Sequence, residues 1–421
     1  MKDVCTVLES MDERRFDILV MGLFGIMAAV IFAVVQFTGM HSSVVEGYYP
    51  YADAMMNGVF PYTDEVYVYG YWNVWEYPPL AYVLFLIPRL FGANEAVYQA
   101  VYLAMVMVSV WLGLRSVRRI AEIRDYNPRK ACIVYVLFMA LMAEFLFDRY
   151  DVFPVVLTIM AIRFFLEGRF EYASAMVAVG TLLKLYPALL LPVFIIWLIR
   201  HKEWKGLLHA AIAFLVLMCI AIPFVLLGDI SQMFGYHSAR PLEIESFAAS
   251  ILEVVRLISP DSGMEVIYSY GSDNLVGGIA DSVSPYMTKL MLGCVGAILV
   301  YYIYLVWTKD EGLEHRSFNT MFLIVSAFMM VGAIFSAQYV IWLIPFVLVF
   351  LMYVGDKGKR RTIVRVFAVI EVLTQLNFLF NFGMRPDDFL SPWGVASILV
   401  RNILLLLMMV YAVRDLPRDT V

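Results

Sequence analysis

The chain has 421 residues, of which 62% are hydrophobic and only 16% are charged, and its mean hydropathy is +0.78. These values lie far outside the range of soluble globular domains and predict an all-α polytopic membrane protein. The formal net charge of −5 says little about partners, although we expect no nucleic acid among them. The four cysteines are too scattered for a disulfide framework, so we predict that they are reduced.

Apolar runs that can form transmembrane helices recur along the whole sequence. A spanning helix needs roughly 20 apolar residues, and a bundle interior tolerates shorter or broken ones. The first run is too long for a cleavable signal peptide and predicts a first span. We predict a single domain over residues 1–421 with about 12 spans, near residues 16–38, 96–114, 131–147, 152–166, 172–187, 188–200, 206–228, 288–307, 317–335, 339–354, 362–380 and 393–413.

The basic residues predict the orientation of these spans. The Lys and Arg clusters fall on one side of the arrangement, and cytoplasmic loops are the ones that carry such an excess. We therefore predict cytoplasmic N- and C-termini in a plasma-membrane protein, with large outer loops over residues 39–95 and 229–287. The apolar piece after Pro78 and Pro79 contains Pro88 and is too short to span, so we predict a re-entrant or interfacial helix there.

The first outer loop concentrates acidic and aromatic residues. No Lys or Arg occurs between Arg15 and Arg89, whereas tyrosines are frequent and two tryptophans are present. Tyr and Trp sit well at the lipid headgroup level. The acids of the loop either solvate it or form a reactive site, and they are Glu46, Asp53, Asp64, Glu65 and Glu76.

A transferase with a hydroxyl acceptor needs a carboxylate that takes the proton. We predict Glu46 as this base because it lies just past the end of the first helix, where the backbone is anchored, and Asp53 and Asp64 are the alternatives. Glu76 precedes a Tyr-Pro-Pro sequence, so a structural role is the alternative to substrate binding for this residue. The loop residues predicted to contact the substrate are Tyr48, Tyr49, Trp72 and Glu76.

Further polar groups fall on the outer side of this topology. In FDRYD, Arg149 lies between Asp148 and Asp151, either as a self-neutralised turn or as a phosphate ligand, since a guanidinium makes paired charge-assisted bonds. Lys184 stands alone in an apolar helix that breaks at Pro187. An ionisable residue there is a functional hypothesis, with a lipid phosphate as the favoured partner and snorkelling to the interface as the alternative.

The second outer loop contains the sequence YHSARPLEIES, which places His237, Arg240, Glu243 and Glu245 within a few residues. These side chains either clamp a phosphate or form an ordered loop network. The remaining outer groups are Gln338 in FSAQYVIW and the turn NFGMRPDDF. No compact His or Cys cluster occurs, so we predict no cofactor, with one hard divalent ion on loop carboxylates as the alternative.

Five short motifs in a fixed order are jointly more specific. The first is Y-x-x-Y-A-x-x-M-x-x-G-x-x-P-Y-x-D…E-Y-P-P-L-A, from Tyr48 to Ala81. The others are R-Y-D-x-x-P, L-K-L-Y-P, R-P-L-x-I-E-S and A-Q-Y-x-x-W-L-x-P, which begin at Arg149, Leu183, Arg240 and Ala337. With these motifs the chain resembles glycosyltransferase family 87 of the GT-C membrane glycosyltransferases, a family that includes polyprenol-phosphate-mannose-dependent mannosyltransferases.

The resemblance implies a GT-C fold, a polyprenyl-phosphate sugar donor used on the non-cytoplasmic face, and a catalytic acid in the first outer loop. We expect an inverting transfer of mannose to a hydroxyl of a lipid-linked or glycolipid acceptor, by a monomer among membrane lipids. The donor phosphate is assigned to Lys184, Arg240, Arg149 and His237, and further substrate contacts to Asp151, Glu245, Gln338 and Tyr339.

The sequence departs from the family pattern at one position. Family members tend to have an aspartate about four residues before the tyrosine that matches Tyr48, and this chain has Val44 there. Glu46 is the nearest acid, and Asp53 or Asp64 are the other candidates for the base. A lipid or sugar flippase is the rival class, although such transporters place ionisable residues near the bilayer midplane. A non-catalytic subunit of a glycan-assembly complex is a third reading.

Overall fold

The computed structural model describes residues 10–38, 42–378 and 392–416, and this part is mostly helical, as the composition predicts. The α-helices in chain order are α1 (Glu13–Thr38), α2 (Tyr49–Met56), α3 (Pro79–Arg89), α4 (Glu95–Ile123), α5 (Pro128–Leu141), α6 (Ala143–Asp148), α7 (Val152–Leu166), α8 (Phe170–Leu183), α9 (Leu191–Arg200), α10 (Trp204–Met218), α11 (Ile222–Leu227), α12 (Ser231–Ala239), α13 (Phe247–Ile258), α14 (Gly278–Thr308), α15 (Leu313–Val331), α16 (Ile344–Tyr353), α17 (Lys357–Phe378) and α18 (Pro392–Asp415). A π-helical turn occupies Val44–Tyr48, and 3-10 turns occupy Tyr186–Leu190, Cys219–Ala221, Pro260–Ser262 and Ala337–Leu343.

Over its described residues, every predicted span overlaps a helix or two or three consecutive helical segments. Among the described residues, five helical segments are long and apolar enough to cross a membrane, namely α1, α4, α10 with α11, α14 and α18. The chain is therefore a multi-pass membrane protein. The total of about 12 spans and the side on which each loop lies stay predictions, and the NFGMRPDDF turn lies outside the described residues.

The predicted span near residues 288–307 lies within a longer helix. Helix α14 begins at Gly278 rather than near residue 288, and it continues through Pro285. Its first residues are polar, so the hydropathy pattern marks only the apolar part of a longer helix. The predicted loop boundary at residue 287 stays a prediction, and α4 begins at Glu95, at the predicted end of the first loop.

The described chain divides into two compact units, and the predicted single domain stays a prediction beside this division. The first unit comprises the residues up to 188 and residues 205–237. In it, α7 is apolar on all sides and packs against α4 and α8. The start of α4 is fixed by Asn94, whose side chain accepts hydrogen bonds from the backbone of Ala96 and Val97. Such caps satisfy backbone groups that a helix end leaves unpaired.

Aromatic side chains form the core of the first outer loop. Tyr48 stacks on Phe85 with ring centroids 4.2 Å apart, and the Tyr51 hydroxyl donates to the Val74 carbonyl over 2.9 Å. These rings are buried and not at an exposed headgroup surface, because large aromatic side chains gain most by packing together. The buried rings include Tyr48, Tyr51, Tyr62, Trp75 and Tyr82. Of the ring residues considered above, only Trp72 is largely exposed.

Short strands occur in both predicted outer loops of this mostly helical structure, where the sequence predicts helices alone. In the first loop, β1 (Val66–Val68) pairs antiparallel with β2 (Tyr71–Asn73). Tyr69 and Gly70 connect them with φ angles of 52° and 86°, as a tight hairpin turn with two positive φ angles requires. The strands are too short to give a clear alternation of apolar and polar residues, although β-branched and aromatic residues around a Tyr-Gly pair are a recognisable hairpin signal.

The second unit comprises residues 189–204 and the chain from residue 238 onward. The predicted second outer loop contains an antiparallel sheet in the order β3-β5-β4, formed by β3 (Leu242–Glu243), β4 (Glu265–Ser269) and β5 (Ser272–Val276). Tyr270 and Gly271 form the β4–β5 turn, again with positive φ angles. The Ser246 side chain caps α13, which packs on α18. Two Tyr-Gly hairpins thus support the two outer loops.

Candidate active site

Glu46 lies on the π-helical turn that follows the first helix. Its carboxylate is half-buried, and its Oε1 atom accepts a hydrogen bond of 3.3 Å from the backbone N–H of Ser42. The hairpin turn docks on the same segment, because the N–H of Tyr69 donates to the Glu46 carbonyl over 3.1 Å. A Cβ atom on Gly47 would lie 2.1 Å from the Tyr69 hydroxyl. Glycine is therefore required beside Glu46 for this close approach.

An open groove lies along this turn. It has a volume of about 580 Å³, within the ~300–1,000 Å³ range of ligand sites. Its acidic lining residues are Glu46, Asp53, Glu65 and Glu95, and its aromatic ones are Tyr49, Tyr67, Tyr69 and Trp72. Carboxylates beside partly exposed rings match the hydroxyls and apolar faces of sugars.

The other two candidate bases differ from Glu46 in their surroundings. Asp53 accepts two hydrogen bonds from Arg89, the shorter being 2.8 Å from Nη2. Folding therefore places Arg89, the first basic residue after the acidic segment, against Asp53. The negative charge of the loop is thus partly compensated. Asp64 is exposed in a turn, where its Oδ2 atom accepts from the Thr63 hydroxyl. Glu46 and Asp53 line the groove, and Asp64 does not.

Arg149 lies in the turn between α6 and α7 with one-quarter of its side chain exposed. Its Nε atom is 3.8 Å from Oδ2 of Asp148, and its guanidinium donates no hydrogen bond to any residue that the structure describes. Burial lowers the pKa of Arg149, but Asp148 and the hydroxyls of neighbouring tyrosines together raise this pKa above its ordinary value, so the side chain is cationic. A fixed guanidinium with unused donors is suited to bind an anion.

Ser42 links Glu46 to Asp148, the acid beside Arg149. Its hydroxyl donates to Oδ1 of Asp148 over 2.8 Å, while its backbone N–H reaches Glu46. The N–H of Ser43 also donates to Oδ1 of Asp148, over 2.9 Å. Asp148 is thereby oriented by two donors, the Ser42 hydroxyl and the Ser43 N–H, next to Arg149. Sequence analysis missed these serines, although two adjacent hydroxyl residues just after an apolar span are a visible signal.

Lys184 pairs with Asp151, whereas the sequence favoured a lipid phosphate as its partner. Its Nζ atom lies 3.0 Å from Oδ1 of Asp151, which is 1% exposed. The ammonium also lies over the Tyr150 ring, 4.5 Å from the centroid. Helix α8 ends at Leu183, and Lys184 follows in an extended conformation that turns its side chain inward. Arg149 interacts with Lys184 electrostatically. Of the two acids that flank Arg149 in sequence, Asp151 thus pairs with Lys184, whereas Asp148 lies beside Arg149.

Tyr69 extends from the groove towards these charges. Burial raises the pKa of the Tyr69 hydroxyl to about 12, and the nearby Arg149 opposes the shift. The hydroxyl is thus protonated and able to donate near Arg149. Glu76 interacts electrostatically with both Tyr69 and Lys184, and its backbone carbonyl contacts Nε2 of His237 at 3.2 Å. Residues from both outer loops of the sequence therefore meet in the first unit.

The predicted ring contacts divide into two kinds. Tyr48 is 1% exposed, with Phe85 stacked on one face and Tyr150 edge-on, so it packs inside the loop and offers no open face for a sugar. Tyr49 is half-buried and lines the groove, and its hydroxyl donates to the Ala93 carbonyl over 2.5 Å. Trp72 is 66% exposed and also lines the groove.

The second unit contains a separate set of buried charges. Arg240 Nη2 donates to the Ser272 hydroxyl over 2.7 Å and lies 3.4 Å from Glu243, so the ordered-network alternative describes its setting. Glu245 forms an ion pair with Arg401. Burial raises the pKa of the Glu245 carboxyl to about 7, although Arg401 opposes the shift.

Gln338 and Tyr339 also lie in the second unit, in the 3-10 turn before α16. Tyr339 stacks on Trp342 with ring centroids 3.9 Å apart. Both residues are half-buried, and the amide of Gln338 makes no hydrogen bond to a residue within the described ranges. Groups of three or more His, Cys, Asp or Glu residues that could hold a metal are likewise not found in the described chain.

The fold and this site define a multi-pass helical membrane protein with a charged groove on the segment between α1 and α4. The sequence matches glycosyltransferase family 87 over residues 75–333. The chain belongs to this family. The match begins after Glu46, so the family assignment and the position of the candidate base rest on different parts of the chain.

Two solved structures of one enzyme are similar at low sequence identity. The apo oligosaccharyltransferase of Archaeoglobus fulgidus has 11% identity and a TM-score of 0.34, with 97% of this chain and 57% of that chain covered. The same enzyme tethered to an acceptor peptide has 12% identity and a TM-score of 0.36, with 97% and 56% covered. This chain thus spans little more than half the length of that enzyme, and TM-scores this low define neither fold nor activity. No curated protein matches the chain.

Proposed function

We propose that the protein is an inverting GT-C glycosyltransferase, which moves mannose from a polyprenyl-phosphate donor to a hydroxyl of a lipid-linked or glycolipid acceptor on the extracytoplasmic face of the plasma membrane. Family membership supports glycosyl transfer, and the motif resemblance supports the donor and the sugar. The observation that carries the proposal is the link through Ser42, which connects the Glu46 carboxylate with Asp148 beside Arg149. The proposed base thus belongs to one hydrogen-bonded assembly with Asp148, whose carboxylate lies 3.8 Å from the Arg149 guanidinium.

In the proposed reaction, Glu46 takes the proton of the acceptor hydroxyl as its oxygen attacks the anomeric carbon. The bond from that carbon to the phosphate oxygen breaks, and polyprenyl phosphate leaves with the electron pair. A single displacement inverts the configuration, so a β-linked donor gives an α-linked product. Glu46 lines the open groove, where the acceptor would approach between acidic and aromatic residues.

Arg149 is the proposed ligand of the leaving phosphate. Negative charge grows on this phosphate in the transition state, and a fixed cation nearby lowers the barrier most in a water-poor site. The unused donors of its guanidinium and its partial exposure fit this role. The Lys184–Asp151 pair and the Tyr69 hydroxyl lie near Arg149 and interact with it electrostatically. His237 is retained as an assisting residue because it contacts the backbone carbonyl of Glu76.

Other predicted site residues keep secondary roles. Tyr49 and Trp72 are proposed to contact the acceptor because both line the groove. Arg240, Glu245, Gln338 and Tyr339 belong to the second unit. For Arg240 and Glu245, which the sequence predicts as donor and substrate contacts, we propose a structural role because both are paired there, and we keep Gln338 and Tyr339 as substrate contacts. We further propose a monomer that needs no metal.

A transfer assay tests the proposal. Purified full-length protein is incubated with polyprenyl-phosphate mannose carrying a labelled sugar and with a membrane lipid extract, and labelled glycolipid is measured. General-base catalysis contributes roughly 10²–10⁴-fold, so Glu46→Gln should lose at least ~10²-fold in turnover while still binding the donor.

Asp53→Asn and Asp64→Asn are the matched controls, since each also removes one loop carboxylate. Normal turnover in Glu46→Gln with an inactive Asp53→Asn or Asp64→Asn would move the base but keep the transferase. Full activity of all three variants would exclude the mechanism. Net donor transport into vesicles without any labelled glycolipid would instead favour a flippase.

A further inference from the structure

An apolar cleft in the second unit lies beside cations that the candidate active site does not use. Its volume is about 490 Å³, within the ~300–1,000 Å³ range of ligand sites. Helices α15, α16, α17 and α18 supply its walls, and apolar lining residues include Phe322, Val347, Phe350, Val366, Leu407 and Met408. Lys359 and Thr362, from the start of α17, also line the cleft and give it one polar end.

The cations at this polar end are unusually placed. Lys357, Lys359 and Arg361 are exposed in the first turns of α17, and none forms an ion pair with a residue in the described part of the chain. The positive end of a helix dipole disfavours cations in the first turn. Asp356 accepts a hydrogen bond of 2.6 Å from the backbone N–H of Lys359, not from its ammonium. A further anion beside these three side chains, in addition to the Asp356 carboxylate at the helix start, would offset the repulsion.

We propose that this cleft binds an anionic phospholipid, with one acyl chain between the helices and the headgroup phosphate at Lys359. The apolar walls suit a hydrocarbon chain, whose burial is favourable for every methylene group. Basic pockets between membrane helices recognise anionic headgroups in the same manner. The exposed Leu407 side chain continues the lining onto the outer surface of α18, so a lipid can enter from the bilayer. The site does not depend on the proposed transferase activity.

Lipid binding to the purified full-length protein tests this site. Phosphatidylglycerol and phosphatidylcholine with identical acyl chains are titrated separately, and bound lipid is counted from the masses of intact complexes. We expect saturable binding of phosphatidylglycerol and weaker binding of phosphatidylcholine. A basic residue near a membrane surface contributes roughly fivefold to anionic-lipid affinity, so Lys359→Glu should weaken phosphatidylglycerol binding about fivefold or more.

Two matched controls separate the cleft from general surface charge. Lys357→Glu changes charge equally but lies outside the lining, so it should leave most of the affinity intact. Val366→Trp fills the cleft without a change of charge and should abolish phosphatidylglycerol binding. Val369→Trp, at an exposed position of the same helix, should leave this binding unchanged. Thermal melting confirms that each variant is folded.

Several results would overturn the assignment. Equal loss in Lys357→Glu and Lys359→Glu would indicate surface charge alone, and unchanged binding in Val366→Trp would show that the acyl chain lies elsewhere. Displacement of phosphatidylglycerol by polyprenyl phosphate at equal concentration would identify a different lipid class as the occupant.

Discussion

The buried charges of the two units differ in what their hydrogen bonds leave unused. In the first unit, Arg149 lies beside Asp148 but donates no hydrogen bond to a described residue. In the second unit, Arg240 is bonded to Ser272 and Arg401 is paired with Glu245. A cation whose donors are used by the protein positions a loop, whereas one whose donors are unused can take a ligand. We therefore expect function in the first set and stability in the second.

Breaking the second set should have the largest effect, and that effect should be on folding. Glu245→Ala leaves Arg401 buried without its carboxylate, and removal of one partner of a buried ion pair costs about 3–5 kcal/mol. Thermal unfolding in detergent should show a large loss of stability, with Glu265→Ala on an exposed strand position as the control. Turnover per folded molecule should stay close to wild type. A stable variant without turnover would show that Glu245 contacts substrate.

The second largest effect is expected from removal of Arg149, the cation whose hydrogen-bond donors are unused. Arg149→Ala is expected to lower turnover by about 10²–10³-fold, as loss of one transition-state donor does. The thermal unfolding temperature should change little, because the side chain makes no hydrogen bond that the variant would lose. Arg149→Lys keeps the charge and should recover part of the activity. A large loss of stability in Arg149→Ala would place Arg149 with the structural charges instead.

The close contact at Gly47 offers a smaller, indirect effect. Gly47→Ala places a methyl group where the Tyr69 hydroxyl lies, so the hairpin turn must shift. Misplacement by about 1 Å can cost ~10²-fold in rate, and we expect a loss of up to that size in kcat. Gly58→Ala is unsuitable as a control because of its positive φ, whereas Gly22→Ala meets open space. Normal kcat in Gly47→Ala would mean that Tyr69 does not support Glu46.

The smallest effect is expected at Asp53. Its pair with Arg89 leaves 38% of the Asp53 side chain exposed, and such pairs contribute about 0–1 kcal/mol. Asp53→Asn should therefore shift the unfolding temperature only slightly and keep most of the turnover. Loss of turnover by more than about 10²-fold would make Asp53 the base in place of Glu46.

Sequence patterns predicted much of this molecule because hydropathy and charge act locally. The predicted segments coincide with helices, and the turn at Arg149 and the break after Lys184 follow from charges and prolines in the sequence. The partner of Lys184 and the two roles of Ser42 depend on contacts between distant segments, which no single stretch encodes. The burial of the Tyr48 ring also depends on such contacts, so the sequence alone could not distinguish it from an exposed ring, and its sugar contact stays a prediction.

The central claim is that Glu46 acts as the base while Arg149 holds the donor phosphate. The most direct measurement is the affinity for the labelled donor together with single-turnover transfer, for wild type, Glu46→Gln and Arg149→Ala. We predict that Glu46→Gln binds the donor like wild type and transfers at least ~10²-fold more slowly, whereas Arg149→Ala loses both affinity and transfer. Normal transfer in Glu46→Gln, or unchanged affinity and transfer in Arg149→Ala, would contradict the account.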